Sequence, residues 1–184
     1  MSKQAPDAQL PKLIAFDLDY TLWDLWIDTH VTAPLRRAPD GSVVDRYGTR
    51  IDFYADVPGL LRRLRAAGVL VAACSRTDTP DLARQALALL RVPATDDEGQ
   101  GTEQPASALF DDLQIYPGSK IAHFRALHET TGVPYEQMLF FDDEPRNREV
   151  ERLGVTFHLT PDGIDNAVFE AGVQAWKVRS GNSE

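Results

Sequence analysis

The chain has 184 residues, 43% of them hydrophobic and 26% charged, and its formal net charge at pH 7 is −9. This size and apolar content predict one domain with a substantial core, and the acidic balance argues against nucleic acid or an anionic membrane as the main partner. No segment approaches the ~20 apolar residues of a membrane span, and a lone Cys74 excludes a disulfide framework, so we expect a reducing, cytoplasmic compartment.

The first predicted element follows a polar leader, residues 1–12, which lacks the apolar core of a secretory signal. Leu13–Phe16 is an apolar run typical of a buried strand, and Asp17, Asp19 and Thr21 come directly after it. Buried strands do not ordinarily end in two acids, because like charges held close repel and burial adds a desolvation cost. A divalent cation, or a reaction that uses the two carboxylates differently, would compensate for that cost.

The next segment, residues 31–54, departs from the pattern of the chain. Asp40-Gly41 and Tyr47-Gly48 are turn signals that flank Val43-Val44, so we predict a β-hairpin excursion here. A helix is then predicted between Asp56, the expected N-cap, and Gly68, because leucines recur between them at helical spacing.

Apolar runs and helical patterns alternate through the rest of the chain. This alternation predicts a doubly wound, Rossmann-like α/β fold, a parallel sheet with helices on both faces, in a single domain over residues 13–178 with a tail at 179–184. The segment 95–107 is acidic and has no apolar periodicity, so it is predicted to be a mobile insertion. The further predicted strands are Val69–Cys74, Met138–Phe141 and Val155–Leu159, and the further helices begin at Thr79, Ser119, Pro145 and Ile164.

Polar side chains follow the predicted strands at the points where the strands end. In open parallel sheets ligands bind beyond the carboxyl ends of the strands, so we expect these side chains to meet at one rim. Four separate segments contribute, with carboxylates, a hydroxyl, an arginine and a lysine. The residues are Asp17, Asp19, Ser75, Arg76, Lys120, Asp142 and Asp143.

Phosphoryl transfer is the chemistry that this set suits. An aspartate can attack phosphorus and form an aspartyl-phosphate, and a second carboxylic acid can protonate the leaving oxygen and then activate water. Mg²⁺ held by carboxylates lets an anionic nucleophile approach an anionic ester. A lysine and a hydroxyl bind the remaining phosphate oxygens. The residues therefore predict a Mg²⁺-dependent phosphomonoester hydrolase.

The motifs resemble those of the haloacid-dehalogenase (HAD) superfamily of aspartate-nucleophile phosphatases. Its D-x-D-x-T motif, strand-terminal Ser, Lys and acidic pair all occur here in the required order. The chain is similar in particular to the eukaryotic magnesium-dependent phosphatases, which lack a large cap domain, so the resemblance implies an uncapped HAD-like fold. It covers Leu13–Leu159 apart from 95–107, and the segments that carry it are Phe16–His30, Ala73–Thr77, Tyr116–Phe124 and Phe140–Arg148.

The resemblance also implies roles for single residues. Asp17 resembles the nucleophile and a metal ligand, and Asp19 resembles the general acid/base, binding Mg²⁺ through its backbone carbonyl. Adjacent residues leaving a strand point in opposite directions, so Asp142 and Asp143 cannot hold equivalent places, and the family pattern implies that Asp143 binds the metal directly with Asp142 behind it. Phosphotyrosine in proteins and sugar phosphates are the implied substrates. Ser75, Arg76 and Lys120 would contact the phosphate, and Thr21 would position the Asp17 loop.

Two other mechanisms fit this sequence less well. A receiver-like phospho-switch or phosphate-binding protein uses similar groups, but receivers place the acidic pair after the first strand and the phosphoacceptor after the third. Here the D-x-D motif comes first and the acidic pair late. A cysteine phosphatase would need an arginine six positions after Cys74, where the chain has Pro80.

Overall fold

A five-stranded parallel sheet forms the centre of the computed structural model, which describes residues 9–94 and 102–181. Leu13–Phe16 (β1) lies in the middle of the sheet, where its four residues are buried, as expected of a strand covered on both faces. The spatial order is Thr156–Leu159 (β10), Met138–Asp142 (β9), β1, Leu70–Ser75 (β5) and Asp112–Ile115 (β8).

Helices cover both faces of this sheet. Ile14 and Phe16 of β1 belong to one buried cluster and Leu13 and Ala15 to the other, because successive side chains of a strand point to opposite faces. This arrangement confirms the predicted fold class. The α-helices are Ile27–His30 (α1), Val57–Ala66 (α2), Pro80–Leu89 (α3), Lys120–Thr131 (α4) and Asn166–Arg179 (α5), and 3₁₀ helices span Ala106–Leu109, Tyr135–Gln137 and Pro145–Leu153.

The excursion between β1 and β5 contains a small antiparallel sheet of three strands. They are Arg36–Arg37 (β2), Val43–Val44 (β3) and Arg50–Ile51 (β4), so the predicted hairpin over 31–54 has one strand more than expected. Val43 and Ile51 are buried against the main core. Between β1 and α2 the chain forms only α1 and this small sheet, and the described part of the chain has no large cap domain.

Two further features of the structure differ from what the sequence predicted. The edge strand β8 was not predicted. Only Ile115 of its four residues is buried, and the strand has no continuous run of apolar residues. The prediction of a mobile insertion over 95–107 is wrong for the last part of that segment. There Glu103–Pro105 (β7) pairs with Arg91–Pro93 (β6), and Ala106 is buried. The rest of that segment, 95–101, lies outside the described residues, as do 1–8 of the leader and 182–184 of the tail. Among the described helices, none has the length and apolar character to cross a bilayer.

Candidate active site

The sheet order brings the predicted site residues together. Strands β5 and β9 flank β1 on opposite sides. After β1 the chain continues to β5 on one side and later returns to β9 on the other, so the carboxyl end of β1 lies at the topological switch point of the sheet. The loop after β1 turns sharply: Leu22 N–H donates to Leu18 O, and Tyr20 takes a positive φ of 54°. This turn keeps Asp17 and Asp19 at the sheet edge.

Lys120 lies at the centre of the site, almost wholly buried at 1% exposure. Its Nζ is 2.6 Å from Asp17 Oδ1 and 3.2 Å from Asp142 Oδ2, and it also donates to the backbone oxygen of Cys74. Burial alone lowers the pKa of Lys120, but Asp17 and Asp142 together raise it above its ordinary value. The ammonium therefore stays protonated, and its charge is shared between two carboxylates.

The start of α4 explains how the chain places this lysine. Ser119 is the N-cap of α4, and its Oγ accepts from Ala122 N–H, as the sequence predicted. Gly118 has a φ of 149°, a conformation that suits glycine. Lys120 is thus the first residue of a capped helix that begins at the sheet edge.

Three carboxylates converge beside Lys120. One oxygen each from Asp17, Asp142 and Asp143 lies within 4.8 Å of the others. Burial raises the pKa of Asp17, with Lys120 opposing the shift and Asp142 adding to it, and burial with Asp142 and Glu144 raises that of Asp143 to about 6. One lysine does not balance three acids, and carboxylate oxygens are the ligands that hard divalent cations prefer, so this donor set fits Mg²⁺.

Asp142 and Asp143 occupy different places, as predicted for neighbours at a strand end. Asp142 is fully buried, and its oxygens accept from Glu144 N–H at 2.7 Å and from Asn147 Nδ2 at 2.8 Å. Asp143 is half-buried and lines the cavity. Of the two carboxylates, Asp143 is therefore the more accessible from the cavity, and Asp142 is fixed behind it by its hydrogen bonds.

Asp19 faces the same cavity from the loop. Its Oδ1 accepts from Trp23 Nε1 at 2.7 Å and from Ile27 N–H at 3.2 Å, and these bonds hold the carboxyl group in place. Burial nevertheless raises the pKa of Asp19 to about 6, against the lowering effect of those two bonds. A carboxyl group with that pKa can donate and accept protons near neutral pH.

The cavity has a volume of about 270 Å³ and opens at the sheet edge. Of the predicted site residues, Thr21 and the buried Asp142 do not line the cavity. The Thr21 hydroxyl lies 3.4 Å from that of Thr160, and the Thr21 backbone oxygen accepts from Ile164 N–H. Thr21 therefore joins the loop to the segment after β10. The lining residues are Asp17, Asp19, Trp26, Asp28, Thr29, Ser75, Arg76, Thr77, Lys120, Asp143, Glu144, Arg146 and Asn147.

One buried residue of the site, Asn147, escaped the sequence prediction. It donates to Asp142 and accepts from Arg76 Nη1 at 3.4 Å, so it connects the acidic pair with the predicted phosphate arginine. Asn147 lies in the family-like segment Phe140–Arg148, and that was its only available signal.

Comparison with known proteins gives consistent matches along the chain. Residues 9–179 match the family model described as Acid Phosphatase. A Schizosaccharomyces pombe protein named as a member of the HAD-like hydrolase superfamily is 50% identical over 151 residues, covering 81% of this chain and 85% of that protein. Magnesium-dependent phosphatase 1 of Homo sapiens is 42% identical over 176 residues, covering 95% of this chain and 92% of that protein.

A solved structure shares the fold. A HAD family enzyme of Bacteroides thetaiotaomicron, determined as a magnesium complex, superimposes with a TM-score of 0.59 at 17% identity. The match covers 88% of this chain and 99% of that one. At this identity the likeness establishes the arrangement of strands and helices.

Proposed function

The chain belongs to the Acid Phosphatase family, within the HAD superfamily that its motifs resemble, and we propose that it hydrolyses phosphomonoesters through an aspartyl-phosphate on Asp17. The observation that carries the proposal is the buried Lys120 ammonium, 2.6 Å from Asp17 and 3.2 Å from Asp142. Family membership as a phosphatase also argues against the receiver-like alternative. The first test is hydrolysis of a generic aryl phosphate with Mg²⁺ and with EDTA: turnover lost in EDTA is expected, and none in either condition would contradict the proposal.

We assign Mg²⁺ to the carboxylates of Asp17 and Asp143 and the backbone carbonyl of Asp19, with Asp142 orienting the set from behind. The human relative is named as magnesium-dependent, and the three convergent carboxylates of this chain fit a hard cation. When bound, Mg²⁺ supplies positive charge that offsets repulsion between the phosphate ester and Asp17.

The chain's own residues carry the two chemical steps. An Asp17 oxygen attacks phosphorus, the phosphorus–oxygen bond to the leaving group breaks, and Asp19 gives its proton to the leaving oxygen. In the second step Asp19 takes a proton from water, the water oxygen attacks phosphorus, and the bond to Asp17 breaks. Lys120, Ser75 and Arg76 bind the phosphate oxygens through both steps.

Asp19→Asn removes the group that exchanges protons in both steps. We expect kcat to fall about 10²–10⁴-fold. Because Asp19 must be protonated to donate, and its pKa is raised to about 6, kcat/KM of the unmodified protein should decline as pH rises above about 6. The pH profile of the variant should lack that decline. Asp24→Asn, at an exposed acid of the same loop, is the matched control, and an unchanged profile in Asp19→Asn would exclude the acid/base role.

Asn147→Ala tests the connection between the acidic pair and Arg76. Asp142 loses a buried hydrogen bond and Arg76 loses its acceptor, so we expect activity or apparent Mg²⁺ affinity to fall about 10–100-fold. Mg²⁺ titration of the rate measures the effect. Asn166→Ala, at an exposed asparagine that begins α5, should leave both quantities unchanged. Equal effects of the two substitutions would mean that Asn147 has no special part.

We assign phosphotyrosine in proteins as the substrate, with sugar phosphates as the second candidate. Trp26 is 50% exposed at the cavity, and its ring lies 5.3 Å from that of Tyr20 in an edge-on contact. An exposed indole favours an aromatic leaving group. Asp28 and Thr29 line the same mouth and would suit sugar hydroxyl groups. Trp26→Ala should raise KM for aryl phosphates more than for sugar phosphates, and the reverse order would favour the sugar.

We also place the protein in the cytoplasm. The support is compositional: its one cysteine, Cys74, is a free thiol buried in the sheet, as suits a reducing compartment. Fractionation of the native protein is the direct measurement.

A further inference from the structure

The small antiparallel sheet presents a row of side chains to solvent. Arg36 pairs with Val44, and Val44 pairs with Arg50, so the three residues lie side by side on one face. On the opposite face the partners Arg37, Val43 and Ile51 point inward, and the latter two are buried. Arg36 and Arg50 are exposed.

The turn after β3 extends this row. Arg46 is exposed, its guanidinium carbon is 5.9 Å from the centre of the Tyr47 ring, and Tyr47 is 77% exposed. Exposed tyrosines and arginines are the residue types enriched where proteins bind other proteins. We call the set Arg36, Val44, Arg46, Tyr47 and Arg50 the outer basic face.

A buried carboxylate holds this turn rigid. Asp45 is 1% exposed, and its two oxygens accept from the backbone N–H groups of Thr32, Tyr47 and Thr49 at 2.7–2.9 Å. Its charge is thus directed inward. Asp52 lies 3.7 Å from Arg50, but both side chains are more than 60% exposed, so this solvated pair neutralises the arginine weakly.

The charge of this surface runs against that of the chain. The outer basic face carries three arginines, Arg36, Arg46 and Arg50, in a protein whose net charge is −9. An acidic partner would be attracted to this surface and repelled by the rest of the acidic molecule, so the outer basic face favours an acidic partner. A protein segment with acidic side chains matches both the arginines and the aromatic ring.

The outer basic face is close to the mouth of the cavity. Thr29 lines the cavity, and three residues later Thr32 exchanges hydrogen bonds with the turn: Arg46 N–H donates to Thr32 O at 3.0 Å. Three residues span at most about 11 Å. At about 3.4 Å per residue, an extended peptide with its phosphate in the cavity would bring residues roughly four to six positions away onto this face.

We propose that the outer basic face binds an acidic segment of a phosphorylated protein, roughly four to six residues from the phosphorylated side chain. This inference rests on the proposed phosphatase function and narrows its substrate to a protein with acidic flanking sequence. Val44, between Arg36 and Arg50, supplies an apolar centre to the contact. The interaction should weaken steeply with salt, because the arginines are exposed.

The test compares two phosphotyrosine peptides, one with glutamates four to six residues from the phosphotyrosine and one with alanines there. We expect kcat/KM about tenfold higher for the acidic peptide at low salt. Arg36→Gln/Arg46→Gln should remove this preference and leave aryl phosphate hydrolysis unchanged, and Arg125→Gln/Arg152→Gln, at exposed arginines elsewhere, should retain it. Equal rates for the two peptides, with normal aryl phosphate turnover, would overturn the docking inference alone.

Binding provides a second readout that does not depend on turnover. The fluorescently labelled acidic peptide should bind the Asp17→Asn protein more tightly than the alanine peptide does, measured by anisotropy, and the double arginine substitution should abolish the difference. A single-stranded oligonucleotide that displaces the peptide at equal concentration would identify a nucleic-acid surface and overturn the proposal. Absent aryl phosphate turnover with intact peptide binding would instead contradict the proposed function.

Discussion

Asp17→Asn is expected to abolish phosphomonoester hydrolysis, with kcat reduced at least about 10⁴-fold. The amide keeps the volume and shape of the carboxyl group but is not a nucleophile toward phosphorus. Since Asp17 Oδ1 is 2.6 Å from Lys120 Nζ, the amide oxygen can keep that hydrogen bond, and phosphate binding should persist. Single-turnover assays with an aryl phosphate measure the chemical step directly.

The fold should survive this substitution. Burial raises the pKa of Asp17, which means that its ionised form is costly in the folded protein, and Lys120 keeps Asp142 as a partner. The thermal midpoint should therefore stay within a few degrees of the original. Asp162→Asn, at an exposed acid beyond β10, is the matched control and should keep full activity. If Asp17→Asn retained turnover in a folded protein, another residue would have to be the nucleophile.

The parts of the fold that the sequence predicts well are those with a strong apolar signal. β1 coincides with the predicted Leu13–Phe16, and β9 ends one residue beyond its prediction, because both strands are buried along their whole length. The half-buried β10 begins one residue later than predicted. The strand β8 escaped because its four residues include only two apolar side chains, Leu113 and Ile115, and so short a pattern does not distinguish a strand. Similarly, β6 and β7 are three residues long and contain Pro93 and Pro105, which are poor strand residues by themselves.

The sequence predicts which residues gather at the edge of the sheet but not the hydrogen bonds that join them. Polar residues after buried strands are visible in the sequence, and parallel topology then brings Asp17, Ser75 and Asp142 together. Which hydroxyl or amide contacts which carboxylate depends on rotamers and loop paths. The bonds of Asn147 to Asp142, and of Trp23 to Asp19, are set by tertiary packing and have no spacing signature.

Lys120→Met is expected to lower both activity and stability. Without the ammonium, the phosphate loses its buried positive partner, and kcat should fall about 10³-fold. Asp17 and Asp142 would also face each other without compensation, and breaking a buried ion pair in this way costs about 3–5 kcal/mol of unfolding free energy. Urea denaturation in EDTA measures that loss.

The loss should depend on pH in a definite direction. In the original protein the pKa of Lys120 is raised, so its contribution to stability is fully present at neutral pH and disappears only as pH rises through that value. In the variant the carboxyl of Asp17, whose pKa burial already raises, has no cation to hold it ionised. Protonation relieves the repulsion, so the stability deficit should shrink as pH falls from 7 toward about 5.

Two further variants separate the charge of Lys120 from its position. Lys12→Met removes an exposed lysine and should change neither stability nor rate. Lys120→Arg keeps the charge but cannot place one nitrogen between Asp17, Asp142 and the Cys74 carbonyl, so it should recover part of the stability and little of the activity. A deficit in Lys120→Met that stays constant between pH 5 and 7 would mean that lost packing of the lysine stem, and not uncompensated carboxylate charge, accounts for the instability.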